Sequence, residues 1–444
     1  MRPPPLTLVL PRGACPPPFD LLPAFAARPG CVFLDSALPS ASARYSILAC
    51  DPSLTLKGGP EILPRLRTEL AARASAPLPG LPFAGGAIGY LSYEYGATLD
   101  HVAPGGPDEL GLPDIAFGFY DNALVHDHVT GATTLVASDS GALARLHTFV
   151  ASAACALLPA PRFSVGPLRA DLSPAAYTAA IARIRAYIAA GDTYQVNFTH
   201  RFTAPFTGSA AGLYSRLRAL SPAPHSAYLD FGDFQIVSST PERLLRVVGR
   251  QLETRPIKGT VARLEDPAAD TQNRALLLAS AKDHAELLMI VDLARNDLGR
   301  VATPGSVHVA ARHELETYAT VHHLVATVRG ELAPGLDRFD ALRALHPGGS
   351  ITGAPKIRAM QIISELEPAR RHAYTGTLGY LGYDGNADLA IAIRTITCAR
   401  GLASYHVGGG ITWDSDAAAE YEETFHKGRS MHEALQSQLP PEHT

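Results

Sequence analysis

The chain has 444 residues, of which 46% are hydrophobic, so it is long enough to bury one large core or two to three smaller ones. Its formal net charge of −4 provides no basic field for nucleic acid, and its Lys and Arg residues do not cluster, so a small-molecule ligand is expected. No run of about eighteen apolar residues occurs, and the N-terminal apolar stretch is too short for a signal peptide, which predicts no membrane contact and a cytoplasmic location.

The five cysteines are odd in number and dispersed along the chain: Cys15, Cys31, Cys50, Cys155 and Cys398. None of them forms a C-x-x-C pair, so the sequence indicates neither a disulfide framework nor a zinc site. This pattern is typical of a reducing compartment.

The N-terminal part, residues 1–155, is rich in Pro and Gly and predicts short strands joined by turns. No acid, base and nucleophile lie close together in it, so it is interpreted either as a regulatory or scaffolding half or as a structural flank. Residues 156–172, in which Pro, Arg and Gly alternate, predict a connection to a second region over residues 170–436.

The second region begins with a predicted helix that starts at Ser173-Pro174 and stops before Gly191. A predicted strand follows over residues 191–198, with Gln195 on one face. Residues 226–248 predict two strands around Glu242, whose separation from Lys258 suits a hairpin that brings the two side chains together. The alternative is that Glu242, which follows Thr-Pro, is a turn or cap residue.

Lys258 lies between a proline and a glycine, in the segment TRPIKGT. Pro256 has a fixed φ and no amide proton, and Gly259 permits close approach of another group, so the backbone around Lys258 is shaped. Lys and Arg together number 38, yet only five are Lys, which an arginine-biased composition also explains. Unlike Arg, Lys can act as a nucleophile when it loses its proton.

Two further segments place a charged residue in the first turns of a predicted helix. The predicted helix over residues 283–298 places Glu286 beside its apolar stripe, either solvated or turned into a cleft as a ligand. Residues 346–356 predict a glycine-rich entry into a helix that begins at Pro355 and Lys356. Such a helix start is either a carboxylate-binding site or an ordinary helix entry.

The C-terminal part carries candidate anion- and cation-binding residues. Arg394 lies on a strand predicted over residues 389–396 and suited to burial, where a charge needs an anionic partner. The run Gly408–Gly410 can offer backbone amides to an anion. Glu420 and Glu423 share a helix face and require a cation between them, which is either Lys427 or a divalent metal that Glu286 also binds.

Taken together, several ordered blocks between about residue 170 and 430 resemble the chorismate-binding enzymes. The blocks are GDTYQVNF, SSTPER, TRPIKGT, KDHAELLMIVDLARNDLGR, VHHL, PGGSITGAPKIRAM, YTGTLGY, AIAIRTI, GGGITWDSD and EYEETFHK. The resemblance implies an α+β fold of two antiparallel β-sheets packed as a sandwich, with helices outside, the active site in the cleft, and both regions interwoven in one unit. The N-terminal blocks FLDSA and RYSILACDP resemble a tryptophan pocket more loosely, which makes Ser36 a candidate tryptophan-binding residue.

The resemblance also implies a reaction. The segment PIKGT is similar to members that convert chorismate and ammonia to 4-amino-4-deoxychorismate, whereas anthranilate synthases typically have alanine in place of this lysine. Gln195 stands where members that add water have a base lysine, and a glutamine cannot take a proton from water. By this resemblance Lys258 attacks ring carbon 2, Glu242 protonates the departing 4-hydroxyl, and His323 is the active-site histidine. Anthranilate synthesis and a catalytically silent, tryptophan-sensing relative remain as alternatives.

The same resemblance implies the ligands of the site. Mg²⁺ is expected on Glu286, Glu420 and Glu423, and Tyr374 and Arg394 are expected to contact the enolpyruvyl carboxylate. The remaining substrate-binding candidates are Gln195, Gly408, Gly409, Gly410 and Lys427. No cysteine lies in a G-x-C-x-G setting, so a glutamine amidotransferase partner is expected to deliver ammonia, on a branch that leads to para-aminobenzoate and folate.

Overall fold

Strands and helices alternate along the chain in a computed structural model that describes residues 2–40, 42–155, 162–318 and 321–436. Residues 156–161 of the predicted connection lie outside the described residues. The first elements are β1 (Leu6–Leu10), α1 (Pro18–Ala26), β2 (Val32–Asp35), β3 (Tyr45–Ala49), β4 (Leu54–Gly58), α2 (Ile62–Ala72), β5 (Gly86–Leu91), α3 (Tyr93–Leu99), β6 (Ile115–Tyr120), β7 (Ala123–Asp127), β8 (Thr133–Ala137) and α4 (Ser140–Cys155).

The second half begins with β9 (Phe163–Val165), β10 (Arg169–Ala170), α5 (Pro174–Ala189), β11 (Gln195–Gly208), α6 (Ala210–Leu220), β12 (His225–Asp230), β13 (Phe234–Thr240), β14 (Arg243–Val248), β15 (Gln251–Arg255) and β16 (Ile257–Ala262). It continues with α7 (Pro267–Ala279), α8 (Ala281–Gly299), β17 (His308–Thr317), β18 (Val321–Glu331), α9 (Arg338–Leu345), β19 (Gly353–Ala354), α10 (Lys356–Leu366), β20 (Thr377–Gly382), β21 (Ala387–Ile391), β22 (Thr395–Ala399), β23 (Leu402–Ile411) and α11 (Ala417–Leu435).

The helix starts follow the capping signals of the sequence. The Ser173 hydroxyl accepts a hydrogen bond from the Ala176 amide at the start of α5, which confirms the predicted helix. Ser280 caps α8 in the same way, so this helix begins two residues before its predicted start at Asp283.

Two strand predictions were wrong in detail. Residues 226–248 form three strands, β12 to β14, and not two. The strand predicted over residues 389–396 is interrupted, because Arg394 has a φ of 52° and separates β21 from β22. A positive φ is incompatible with a continuous strand, and the break re-aims the Arg394 side chain.

All described strands pair antiparallel in two sheets. The first sheet has the order β1-β8-β7-β3-β2-β12-β13-β22-β23-β11-β10, with β9 and β19 also on β11. The second has the order β16-β18-β15-β14-β21-β20-β5-β6-β4, with β17 on β18. Each sheet therefore combines strands from the N-terminal and C-terminal parts of the sequence.

The apolar core has three parts. One cluster joins the inner faces of the two sheets, with Val32 and Ile236 from the first sheet packed against Ile88 and Leu378 from the second. A second cluster lies between the first sheet and the helices α1, α4, α6 and α11, and a third covers the second sheet with α2, α8, α9 and α10. This arrangement confirms the expected α+β fold of two antiparallel sheets with helices outside. None of the described helices has the length and apolarity that crossing a bilayer requires.

A buried ion pair connects segments that lie far apart in the sequence of the second region. The Arg371 guanidinium contacts the Glu367 carboxylate at 2.6 and 2.8 Å, and both side chains are at most 4% exposed. Arg371 also donates to the carbonyl of Ile351 at 3.0 Å and to that of Asn197 at 2.6 Å. The Thr199 amide and hydroxyl donate to Glu367, each at 2.8 Å. One ion pair thus fixes β11, the segment before β19 and the end of α10.

Replacing Arg371 by methionine is expected to lower the free energy of unfolding by about 3–5 kcal/mol, because it leaves the Glu367 charge buried and uncompensated. Urea denaturation followed by circular dichroism measures this loss. The matched control is Arg183→Met, which breaks the exposed Arg183–Glu365 pair, whose side chains are 60% and 41% exposed. The control is expected to cost less than about 1 kcal/mol. Equal losses in the two variants would contradict the role assigned to the buried pair.

Candidate active site

Lys258 lies on a β-bulge near the start of β16. The register of β16 against β18 shifts between Lys258 and Thr260, and Gly259 has a φ of 77°. A side chain on Gly259 would approach Leu277 Cδ1 to 2.9 Å, so only glycine fits there without displacement. A bulge re-aims the neighbouring side chain. Lys258 Nζ lies 3.7 Å from Glu286 Oε2 on α8, and its side chain is 16% exposed. Burial lowers the pKa of Lys258, although the charge of Glu286 opposes this shift.

Glu242 lies beside the same bulge. It connects β13 to β14, is 3% exposed, and its Oε1 atom accepts a hydrogen bond of 3.4 Å from the amide of Ile257, the residue before Lys258. Burial raises the pKa of Glu242 to about 7, against the lowering effects of the Ser350 hydroxyl, the Ile257 amide and Lys258. The structure therefore brings the Glu242 carboxyl group to the Ile257 amide, next to Lys258 in the chain, and the carboxyl group is buried and not exposed in a turn. Direct contact between the Glu242 and Lys258 side chains stays a prediction.

A cleft borders Glu242, and Lys258 is not among the residues that line it. Glu242, Pro256, Ser350 and Asp297 contribute to its wall. The buried Ser350 hydroxyl lies close enough to Glu242 to lower its pKa, although its geometry falls short of a hydrogen bond. Sequence reasoning missed Ser350, because nothing in the block PGGSITGAPK indicates which strand its hydroxyl approaches.

The three candidate metal ligands are held by neighbouring side chains. Glu286 lies 4.0 Å from Lys282 as well as near Lys258, and Glu423 contacts Lys427 at 2.6 Å. Glu420 accepts a hydrogen bond of 2.7 Å from Ser415, which the sequence pattern did not indicate. Within the described ranges, no three His, Cys, Asp or Glu side chains are gathered as a metal-ligand set.

The donor chemistry of these residues nevertheless fits a hard cation. Burial raises the pKa of Glu420, and the charge of Glu423 adds to this increase. Burial also acts to raise the pKa of Glu423, but the Lys427 ammonium outweighs it and lowers that pKa overall. Carboxylate oxygens are the ligands that Mg²⁺ prefers. A bound cation would also reduce the repulsion between Glu420 and Glu423.

Arg394 and Tyr374 form the candidate anion-binding end. Burial lowers the pKa of Arg394, and its guanidinium has no ion-pair partner among the described residues. Burial raises the pKa of Tyr374 to about 12, while Arg371 and Arg394 both act to lower it. The Tyr374 ring stacks on His406 at 5.1 Å between centroids. An unpaired guanidinium beside a phenol is suited to bind a carboxylate.

The glycine run on β23 provides space for three of the candidate residues. A side chain on Gly410 would collide with the amide of Gln195, and one on Gly409 would lie 3.1 Å from Glu420 Oε2 and 3.3 Å from Lys427 Nζ. Lys427 also donates to the Gly408 carbonyl at 3.1 Å. The pairing of β22 with β23 ends at Tyr405, so the run extends beyond β22. These glycines therefore let Gln195, Glu420 and Lys427 converge.

His323 on β18 supports the bulge that carries Lys258. Its Nδ1 atom lies 2.9 Å from the Thr260 hydroxyl and 3.3 Å from the Gly259 carbonyl. Because a carbonyl only accepts, the second contact assigns the proton to Nδ1 and leaves Nε2 as an acceptor. Burial lowers the pKa of His323 to about 4, so the imidazole is neutral near pH 7.

The structure places two further residues that the sequence analysis named, Lys356 and Ser36. The Lys356 ammonium contacts Asp297 at 2.6 Å, so its charge is already matched, which favours the interpretation of this segment as an ordinary helix entry. The Ser36 hydroxyl donates to the Tyr45 carbonyl at 2.7 Å, and its amide donates to Ser46 at 3.0 Å. Ser36 directly follows β2 in the first sheet, whereas Lys258 lies on β16 of the second sheet, and the binding of tryptophan by Ser36 stays a prediction.

The chain is similar to known proteins over most of its length. The family model described as chorismate binding enzyme matches residues 38–433. Aminodeoxychorismate synthase component 1 of Klebsiella aerogenes is 44% identical over 360 residues, which are 80% of this chain and 79% of the relative. Anthranilate synthase component 1 of Streptomyces coelicolor is 42% identical over 412 residues, covering 88% of this chain and 80% of the relative.

Solved structures agree with the fold. Anthranilate synthase component I from Streptococcus pneumoniae TIGR4 has a TM-score of 0.77 and 32% identity, covering 89% of this chain and 93% of the other. The isochorismate synthase MenF from Escherichia coli has a TM-score of 0.76 at 18% identity, covering 97% and 94% of the two chains, a likeness of fold alone.

Proposed function

Because this chain belongs to the chorismate-binding enzymes, we propose that it converts chorismate and ammonia to 4-amino-4-deoxychorismate through a covalent Lys258 intermediate. The observation that carries the proposal is the partly buried Lys258 amine on its bulge, together with a buried Glu242 that accepts a hydrogen bond from the neighbouring Ile257 amide and whose pKa is about 7. An enzyme that needs a neutral amine and a protonated acid together requires these opposite shifts.

The reaction begins when the neutral Lys258 amine bonds to ring carbon 2. The two conjugated ring double bonds shift, and the 4-hydroxyl leaves as water with the proton of Glu242. Ammonia then bonds to carbon 4, both double bonds shift back, and the bond from carbon 2 to Lys258 breaks as the amine regains its electron pair. The new ammonium group on carbon 4 gives one proton to the Glu242 carboxylate, which restores the acid. The net change exchanges the hydroxyl for an amino group with release of water, and the enolpyruvyl group is retained.

The other residues orient the substrate. Arg394 and Tyr374 bind the enolpyruvyl carboxylate, because this guanidinium has no ion-pair partner in the described part of the chain. Gly408 to Gly410 form the wall that lets Gln195 and Lys427 reach the ring. Glu286, Glu420 and Glu423 would hold Mg²⁺, which when bound supplies a Lewis-acid contact to the ring carboxylate. His323, neutral near pH 7, keeps the bulge at Lys258 in place.

Anthranilate synthesis is the second candidate, because an anthranilate synthase component 1 is 42% identical over 88% of this chain. That reaction aminates carbon 2 and releases pyruvate, so the two products differ in mass and in the fate of the enolpyruvyl group. A nucleophile bonded to carbon 2 blocks amination there, which favours 4-amino-4-deoxychorismate for a site that contains Lys258.

Ammonia is proposed to come from a separate glutamine amidotransferase subunit. The designation "component 1" of several relatives supports this partner. The proposal also assigns the enzyme to the cytoplasm and to the branch that supplies para-aminobenzoate for folate.

The test is to incubate the full chain with chorismate, Mg²⁺ and ammonium and to identify the product by mass spectrometry. The expected product retains the enolpyruvyl group and carries an amino group in place of one hydroxyl. With glutamine as the only nitrogen source, no amination is expected until an amidotransferase subunit is added.

The outcomes separate the alternatives. Anthranilate together with pyruvate as the main products would establish the second candidate. Unchanged chorismate in a folded, Mg²⁺-supplied protein would instead indicate a catalytically silent relative. A reaction without ammonium serves as the control for slow decay of chorismate.

A further inference from the structure

Two cysteines directly flank neighbouring strands of the first sheet, Cys31 just before β2 and Cys50 just after β3. Strands β2 and β3 pair antiparallel with Val32 opposite Ala49, and extending this register by one residue places Cys31 opposite Cys50. On the other side of β2, the Asp230 amide donates to the Cys31 carbonyl at 2.9 Å. The peptide groups of Cys31 therefore face β12 and not β3. The cysteines form a non-hydrogen-bonded pair, for which the Cα atoms are about 4.5 Å apart and the side chains are closest.

Both thiols lie on the same face of the sheet. Cys31 is fully buried in the cluster beneath α1, α4, α6 and α11, and the partly buried Cys50 packs against the same cluster. Burial raises the pKa of Cys31, and the charge of Cys50 adds to the increase, as expected of close neighbours. A disulfide requires Cα atoms about 4.4–6.8 Å apart, which a facing pair satisfies without backbone movement.

We propose that Cys31 and Cys50 form a site of oxidative modification, at which a low-molecular-weight disulfide such as oxidised glutathione converts the two thiols to an intramolecular disulfide. The more exposed Cys50 thiolate attacks a sulfur of the oxidant and releases one small thiol. Cys31 then attacks the Cys50 sulfur, releases the second small thiol and closes the bond. Two thiols lose two electrons and two protons, and one small disulfide is reduced to two thiols.

The thiol pair is expected to react slowly under mild conditions. Burial raises the pKa of Cys50 to about 12, with a further increase from Asp51, so little thiolate is present near neutrality. The modification therefore needs excess oxidant. The cross-link fixes one end of the β2–β3 pair. At the other end of the pair the Ser46 hydroxyl donates to Asp35 at 3.0 Å. A linked pair cannot slip in register, and a slip of one residue would expose its buried face.

The experiment treats the full chain with excess oxidised glutathione and follows its intact mass. The expected product has lost the mass of two hydrogen atoms, and a non-reducing peptide map joins the segments that contain Cys31 and Cys50. Dithiothreitol restores the original mass. Because the cross-link restricts the unfolded chain, the Tm is expected to rise by several degrees in the oxidised form.

Two variants complete the test. Cys50→Ser is expected to lose the cross-link. Cys15→Ser, whose partly buried thiol packs against the same cluster, is expected to retain it. Stable glutathione adducts without a cross-link, a cross-link that joins other cysteines, or a lower Tm after oxidation would overturn the proposal. The wild-type peptide map decides the matter even if Cys50→Ser fails to fold.

Discussion

Replacing Lys258 by alanine is expected to reduce formation of 4-amino-4-deoxychorismate by a factor on the order of 10³ or more, because the variant lacks the group that bonds to carbon 2. With carbon 2 unblocked, any residual amination is expected there, so traces of anthranilate are the anticipated product. Product mass under saturating ammonium and Mg²⁺ measures both effects.

The structure offers a matched control for this variant. Lys258 and Lys282 both lie near the Glu286 carboxylate, at 3.7 and 4.0 Å, but the Lys282 side chain is 72% exposed. Lys282→Ala therefore removes a similar charge from Glu286 without touching the buried amine, and its rate is expected to change only a few-fold.

A second variant distinguishes a role of Lys258 as a nucleophile from a role as a positive charge. Lys258→Arg keeps a cation beside Glu286, yet a guanidinium cannot supply a neutral amine. It is expected to be as inactive as Lys258→Ala. If Lys258→Arg turned over at the wild-type rate, Lys258 would serve as a charge and the covalent mechanism would be wrong. In the wild type, intact mass after rapid quenching is expected to reveal the lysine adduct.

The features that sequence reasoning identified are local. Pro256 and Gly259 predict a shaped backbone at Lys258, and the structure has a bulge with Gly259 at positive φ. Glu242 was expected near Lys258 through a hairpin, and its carboxyl group accepts from the Ile257 amide. Arg394 was expected on a strand suited to burial and to need an anion; it is partly buried, and burial lowers its pKa. Each of these depends on a few neighbouring residues.

What the sequence could not predict depends on strand order and register. His323 meets Thr260 because β16 pairs with β18, a pairing that skips the intervening α7, α8 and β17. The facing positions of Cys31 and Cys50 likewise follow from register, whereas their spacing along the chain indicated no pair. The helix start at Lys356 stayed open between a carboxylate-binding site and an ordinary helix entry, because the partner of Lys356, Asp297, lies on a different helix. Long-range pairings of this kind have no signature in the spacing of residues along the chain.

The acidic residues are a second case in which the sequence could not decide between two interpretations. Glu420 and Glu423 were predicted to share a helix face and to need a cation, with Lys427 and a divalent metal as the alternatives. The structure supplies Lys427 to Glu423 at 2.6 Å and Ser415 to Glu420 at 2.7 Å. The lysine interpretation therefore holds for Glu423, and Mg²⁺ remains a proposal that rests on the oxygen donors and on the repulsion between the two carboxylates.

Glu242→Gln is expected to lower kcat by about 10²–10⁴-fold, because glutamine cannot protonate the departing hydroxyl. The pKa of Glu242 is about 7, so the acid is protonated below this pH and loses its proton above it. The wild-type rate is therefore expected to fall on the alkaline side of pH 7. The variant is expected to lose this alkaline limb together with most of its activity.

The same substitution is expected to affect stability in the opposite direction. Burial raises the pKa of Glu242 from 4.5 to about 7, so between these values the folded state holds a proton that the unfolded state has released. The stability that the protonated Glu242 carboxyl group contributes is fully present below pH 4.5 and is lost as the pH rises through 7. Between these two pH values the free energy of unfolding decreases by about 1.4 kcal/mol per pH unit. Over the 2.5 pH units between these values the loss adds up to about 3 kcal/mol, so at pH 8 Glu242→Gln is expected to be more stable than the wild type by about this amount.

Glu94 supplies the control, because burial also raises its pKa to about 7 while its carboxylate accepts hydrogen bonds from the backbone of Arg371 and His372. Glu94→Gln is expected to change the pH dependence of stability but to leave the alkaline limb of the rate profile at its wild-type position. Loss of that limb in Glu94→Gln, or its persistence in Glu242→Gln, would show that another group is the acid. A buried catalytic acid requires that Glu242→Gln, and not Glu94→Gln, combine a lower rate with a higher stability. The reason is that the carboxyl group whose buried charge destabilises the folded state is the same group that gives its proton to the substrate.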